Sequence, residues 1–348
     1  MSTVGAEPQG AALNVVEFRP EPSQYAWTFG GAAPVREVEP GSVLRLWCDD
    51  AFAGRIRTVT GLAGASLDPR FLNPQTGPFA VRGAEPGDTL VLHLVDLTPA
   101  RDWGASTLVP FFGGLTATDR TALLNPALEE RTWIYEVDRA RRTVTFVAAR
   151  TDLVLDLPLA PMLGTVGVAP ANREVRSSLT PDAFGGNMDT PEMRVGATCY
   201  LPVNEPGAVF SVGDGHYRQG EGESCGTAVE GAMNVTLIVD LVKASAAPAP
   251  SWPRIENDDE IAVVGSSRPL EDAWRISQVE MIAWLGELLS LERLDAYQLL
   301  TQVALAPLAN VVDTNYSAVT KVSKALVPGL RPHDGLHADL RARATTLR

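Results

Sequence analysis

Cysteine is scarce in this chain. Its 348 residues hold three, Cys48, Cys199 and Cys225, an odd number at no zinc-finger spacing. A disulfide framework is therefore not expected, and a reducing compartment is favoured. Long apolar runs are missing as well: none approaches the roughly eighteen residues of a membrane span, so no membrane partner is expected. The opening MSTVGAEPQGAALNVVEF has no basic region followed by an apolar core. No secretory leader is expected from it, and the cytoplasm is the predicted location. Lysine and arginine number 29 against 42 aspartates and glutamates, a net charge of −13. That deficit argues against a nucleic-acid partner, whose phosphates need clustered basic side chains. No hydrolase-type serine nucleophile is expected, and without GxGxxG or GxxxxGKS/T there is no sign of a dinucleotide or P-loop site.

Glycine and proline, by contrast, punctuate the first 260 residues and leave short apolar runs between turns, an all-β pattern. Residues 41–47 (GSVLRLW) alternate Val43, Arg45 and Trp47 against Leu44 and Leu46. Residues 89–97 (TLVLHLVDL) place Leu90, Leu92 and Leu94 on one face and Thr89, Val91, His93 and Val95 on the other. His93 is read as a half-exposed strand histidine. Residues 132–137 and 143–147 flank DRARR, a predicted hairpin. A Pro/Ala stretch at 244–253 then marks a change of composition. Beyond it, a strand at 260–264 leads to a helix opening near Pro269, with Leu270, Trp274, Ile282, Leu285 and Leu289 at helical spacing. Ser290 is read as the cap of a second helix ending near Ala306. Trp274 and Trp284 are expected in the core, and the tail from Arg331, with His333 and His337, is expected to fray or to meet another subunit. The predicted fold is mainly β: a β-sandwich or jelly-roll-like body over residues 1–250, then a small α/β domain with two helices over 251–348.

The chemistry concentrates in residues 212–230, VGDGHYRQGEGESCGTAVE, where Asp214, His216, Glu221, Glu223 and Glu230 stand among five glycines. Glycine lets a backbone turn sharply, so such a run can aim several side chains at one point. Asp214 and His216 are two apart and project to one side of an extended segment, as do Glu221 and Glu223. Imidazole nitrogen with carboxylate oxygen suits zinc, whereas calcium prefers carboxylates alone. The run GGNMD at 185–189 supplies Asn187 and Asp189, a second polar, glycine-hinged constellation, and Asp49 and Asp50 open a turn that is either solvated or part of a site. Cys225 is read as core filling, because no third group stands ready to orient it as a nucleophile.

These segments together resemble the acetamidase/formamidase family. GGNMD, GDGH and GEGE carry the resemblance, and PGSVLRLWCDDAFAGRI, TGPFAVRGAEPGDTLVLHLVDL, LGTVGVAP and PRIE extend it over most of residues 35–315. The resemblance implies an amidohydrolase that cleaves a short aliphatic amide to carboxylate and ammonia, a mainly β architecture, a bound divalent metal and a homo-oligomer, dimer or larger. It carries site roles onto Asp50 in DAFAG, Asn187 and Asp189, Asp214 and His216, Glu221 and Glu223, and Glu230. Relatives often have Asp where Glu221 stands, and a histidine ahead of the TGP turn where this chain has Asn73 and Pro74. The expected metal set is Asp50, Asp189, Asp214, His216 and Glu221, with zinc first and calcium second. Glu223 or Glu230 would relay a proton to the leaving nitrogen beside His216, a task that needs a carboxyl raised toward neutrality. The alternative is a catalytically silent or substrate-shifted member, acting as a metal-stabilised β-sandwich binding protein.

Overall fold

The structure, a computed structural model, describes residues 14–116 and 127–347. The reading of the N-terminus over residues 1–18 falls mostly on residues 1–13, which lie outside them. Two large sheets face each other. The first runs, edge to edge, Val15–Phe18, Val43–Cys48, Met233–Val242, Thr89–Pro99, Thr198–Pro202, Arg254–Glu256, Glu260–Ser267, Tyr316–Ser323 and Ala304–Leu305, with Leu308–Asn310 also paired to Tyr316–Ser323. The second runs Val154–Pro158, Thr143–Val147, Arg131–Asp138, Trp103–Leu108, Val229–Glu230, Phe210–Arg218, Met162–Val168 and Gly185–Asn187. Gln75–Val81 joins it alongside Phe210–Arg218 and carries Arg36–Val38. The mainly β expectation therefore holds, and so does the hairpin around DRARR.

Alternation explains the packing between the sheets. Leu44, Leu46, Leu90, Leu92 and Leu94 of the first meet Leu163, Val166, Phe210 and Val212 of the second in one continuous core. The opposite face of the first sheet is apolar too. Val43, Val91, Val95, Ile238, Ile261 and Val263 pack against Met281, Trp284, Leu285, Ala296, Leu300 and Leu340 of the helices Leu270–Leu289, Arg293–Val303 and Leu336–Thr345. The order of layers is sheet, sheet, helices, and the first sheet continues without a break across residue 250. Among the described residues no helix is long and apolar enough to cross a membrane.

Several local expectations change. Both faces of Thr89–Pro99 are buried because helices cover the second, so His93 is buried rather than half-exposed, its Nδ1 2.8 Å from the Thr198 hydroxyl. The tail does not fray: residues Leu336–Thr345 form a helix whose His337 is buried against that same hydroxyl at 2.8 Å. Trp284 is a core residue, but Trp274 lies on the outer face of its helix, 45% exposed. Ser290 closes the first helix at φ 54° instead of opening the second, which Glu292 caps by accepting from Leu294 N–H at 3.0 Å. Cys48 and Cys199 are buried, whereas Cys225 is exposed, because its turn lies on the surface between strands.

Candidate active site

GDGH is strand, not loop. Asp214 and His216 lie within Phe210–Arg218, opposite Met162–Val168, where Leu163 pairs with Gly215 and Thr165 with Gly213. The i,i+2 relation brings Asp214 Oδ1 to 3.2 Å from His216 Nε2. The neighbouring strand Val229–Glu230 sets Glu230 directly across from His216, with Glu230 Oε2 at 3.3 Å from the same nitrogen. Asp189 follows Gly185–Asn187, its N–H bonded to Gly164 O at 3.0 Å. Ligand atoms of Asp189, Asp214 and His216 lie within 4.8 Å of one another, and so do those of His216, Glu223 and Glu230. All five side chains are buried. Asp189, Asp214 and Glu223 hold positive φ, of 47°, 60° and 46°, a strained region for side-chain-bearing residues that gathers at functional sites.

Close approach requires Gly164 in the facing strand. A methyl there would sit 2.6 Å from Asp214 Oδ2 and 3.0 Å from His216 Cε1, and against Asp189 Oδ1. Gln219 fixes the histidine. Its Nε2 donates to the carbonyls of Asp189 at 2.6 Å and Ala309 at 3.1 Å, so its Oε1 must face His216 Nδ1, 2.8 Å away. His216 therefore donates from Nδ1 and directs Nε2 at the carboxylates, the orientation that an acceptor on the far ring nitrogen imposes on metal-binding imidazoles. Asp189 Oδ1, Asp214 Oδ1 and Glu230 Oε2 are buried and accept no hydrogen bond among the described residues. Buried oxygens are seldom left so, and each orphan adjoins the His216 edge of the cluster.

The electrostatics ask for positive charge at the same place. Burial works against a charged His216, yet Glu230 and Asp214 push its imidazole well above the usual range. Burial alone would raise Asp214, but the charge and hydrogen bonds of His216 hold it below the usual range. Burial, with Glu223, Asp313 and Asp214 adding repulsion, lifts Asp189 well above that range. Glu223 is lifted well above it by burial and by Glu230, and burial brings Glu230 to about 7 against the pull of His216. A divalent cation among these groups would answer both the orphan oxygens and the crowded negative charge, and one imidazole nitrogen with several carboxylates suits zinc.

Two residues of the sequence-derived set stay outside the cluster. Asp50 is spent on its own turn and on an arginine: Oδ1 accepts from Phe52 N–H and Gly54 N–H at 2.9 Å each, and Oδ2 pairs with Arg101. Burial, then Asp49, raises it to about 6 despite Arg101. Glu221 is exposed and faces Glu192, Lys321 and Glu260 instead. The i,i+2 argument required an extended chain, and Gly222 at φ 84° turns Glu221 and Glu223 to different sides.

Asp313 and Asn310 were not anticipated as site residues, and Asn73, noted only as standing where relatives often have a histidine, joins them. Asp313, buried and raised by burial to about 7, joins Asp189 through the amides of Asn187 and Asn310. Asn73 is buried in the cluster, its Nδ2 2.6 Å from Asn187 Oδ1 and 2.7 Å from the Thr165 hydroxyl. The only sequence signal for Asp313 was the polar triplet DTN, interrupting an apolar strand pattern about a hundred residues from the rest.

A family model described as the acetamidase/formamidase family matches residues 29–174 and 160–251. Among curated relatives, an acetamidase of Mycolicibacterium smegmatis is 28% identical over 260 residues, 59% of this chain and 63% of that protein. A formamidase of Methylophilus methylotrophus is 27% identical over 254 residues, 59% of this chain and 61% of its own. The chain thus spans between 61% and 63% of the curated relatives it matches. Among solved structures, an acetamidase from Yersinia enterocolitica is 39% identical with a TM-score of 0.84, covering 91% of this chain and 94% of that one. An acetamidase from Bacillus halodurans is 26% identical with a TM-score of 0.79, covering 90% and 99%.

Proposed function

The chain belongs to the acetamidase/formamidase family, and from that premise we propose that it hydrolyses a short aliphatic amide, of the formamide or acetamide class, to carboxylate and ammonia. We assign Asp189, Asp214, His216 and Glu230 to hold a divalent cation, zinc before calcium. The observation that carries this reading is the set of three orphan carboxylate oxygens, of which those of Asp214 and Glu230 lie 3.2 and 3.3 Å from His216 Nε2 and that of Asp189 belongs to a residue of the same cluster. When bound, such an ion supplies Lewis acidity for the amide carbonyl and lowers the pKa of a nearby water.

The chain's own groups do the rest. Asp189, Asp214 and Glu230 concentrate negative charge, and burial keeps bulk water from screening it. Gln219 holds the His216 ring in one orientation. Glu223 is the group left to move a proton: burial raises it, and its carboxylate carries no hydrogen bond among the described residues. It takes the proton that the attacking water loses and returns it to the amide nitrogen as the C–N bond breaks. The lining groups are buried and polar, and it is the family resemblance that favours substrates of few carbons. The family resemblance also supports a homo-oligomer, and light scattering would measure it. The binding-protein alternative has no observation in its favour.

The test is ammonia release from formamide, acetamide, propionamide and larger amides, with metal analysis of the same sample. Release from one of the short amides by metal-bearing protein is the expected result. No release from any of them by folded, metal-loaded protein would end the proposal.

A further inference from the structure

Asp313 lies in the turn after Leu308–Asn310, beyond the residues that the family model matches. It is buried, and its Oδ2 accepts from Asn187 Nδ2 at 2.8 Å and from Asn310 Nδ2 at 3.0 Å. The same two nitrogens donate to Asp189 Oδ2, at 2.8 and 3.3 Å. Asn187 cannot present its other end, because its Oδ1 accepts from Asn73 Nδ2 at 2.6 Å and from the Thr165 hydroxyl. Both hydrogens of that amide are thus engaged, one on each aspartate. Asp189 Oδ2 is drawn into this network and Oδ1 is left bare. Arg268 steadies the turn from outside, donating from Nε to Asp313 O at 3.1 Å while its guanidinium lies 4.3 Å from the Tyr316 ring centroid.

We propose that Asp313 is a positioning residue for the cation locus: by occupying the second N–H of Asn187 and bracing Asn310, it keeps Asp189 Oδ1 uncommitted and turned toward His216. Without Asp313, the released N–H of Asn187 is buried without its acceptor, and the bare oxygen of Asp189 is the acceptor that could satisfy it. A buried donor is costly to leave unmet, so the ligand atom is lost to an internal hydrogen bond. The inference rests on the cation reading above.

The test strips the protein with a strong chelator and titrates Zn2+ against a competing chelating dye, for the natural chain, Asp313→Ala and Asp313→Asn. Loss of an outer-shell partner predicts roughly tenfold to a hundredfold weaker zinc binding for Asp313→Ala, with ammonia release restored by excess zinc. Asp313→Asn keeps an oxygen that accepts both amide hydrogens and stays within about threefold of the natural affinity. Zinc binding by folded Asp313→Ala at the natural affinity overturns the inference, and so does an equal loss in Asp313→Asn. If Asp313→Ala does not fold, Asp313→Ser, whose hydroxyl is too short to reach both amides, is judged by the same criterion. A natural chain that binds no zinc overturns this inference and the cation reading together, an outcome recognisable because no substitution is needed to produce it.

Discussion

Glu223 is set apart from its neighbours by what does not touch it. Asp189 is held by two amides, Asp214 by Thr165 and Asn73, and Glu230 by Ala228 N–H at 2.8 Å. Glu223 has burial and repulsion instead, and at 7% exposure it is also the most accessible of the five. A proton carrier needs that freedom and some route to water. Glu223→Gln is predicted to lower kcat by about 10²- to 10⁴-fold while zinc affinity changes little; a parallel fall in both would make it a ligand instead. Asp50 allows a pH prediction away from the cation ligands. Its carboxyl is raised from 3.8 to about 6 by burial first, so between those values the folded chain keeps a proton that the unfolded chain has released. Stability therefore falls as pH rises from about 4 to 6, by roughly 3 kcal/mol for a shift of this size, and is level above that window. Urea unfolding at several pH values should give a shallower decline for Asp50→Asn, and identical slopes would refute the assignment.

At the scale of elements, the site is a matter of strand register. Met162–Val168 lies between Phe210–Arg218 and Gly185–Asn187, and Gly164 is the point where side chains from both converge. Gly164→Ala puts a methyl where Asp214 Oδ2 and Asp189 Oδ1 stand, with no backbone strain to confuse the result. Overpacking of this kind costs about 1–3 kcal/mol, and zinc affinity should fall with it. A variant that binds zinc normally would mean that the carboxylates do not converge there. The strands GSVLRLW and TLVLHLVDL were readable from alternation alone, because one inward face has to be apolar. The helices over 270–303 were readable from their spacing. What alternation missed was the outer face of Thr89–Pro99, whose burial depends on helices supplied from nearly two hundred residues away.

Across the whole molecule, the site draws on segments from Asn73 to Asp313 and stacks buried negative charge that only ordering by the fold can hold together. On the proposed reading a bound cation would relieve that charge and would bind the folded chain alone, so its removal should destabilise. At a free zinc concentration a hundred times the dissociation constant, the linkage is worth about 2.7 kcal/mol. Chelation is therefore predicted to lower Tm and abolish ammonia release, with zinc restoring both. Unchanged turnover in protein shown to be free of metal would dispose of the cation mechanism.

The sequence by itself determined the β class, through its turn residues and period-two runs, and singled out the stretches GGNMD, GDGH and GEGE that supply the acids and the imidazole of the cluster. It determined that Asp214 and His216 share a side, since that follows from strand geometry over two residues. The tertiary structure decided which other acids join them. It turned Glu221 outward through one glycine at positive φ, committed Asp50 to Arg101, and brought in Asp313 and Asn310 from the C-terminal strands. The reason is physical. Side-chain direction within an extended segment is local, whereas convergence of distant carboxylates depends on strand pairing and turn conformation, which no local pattern encodes.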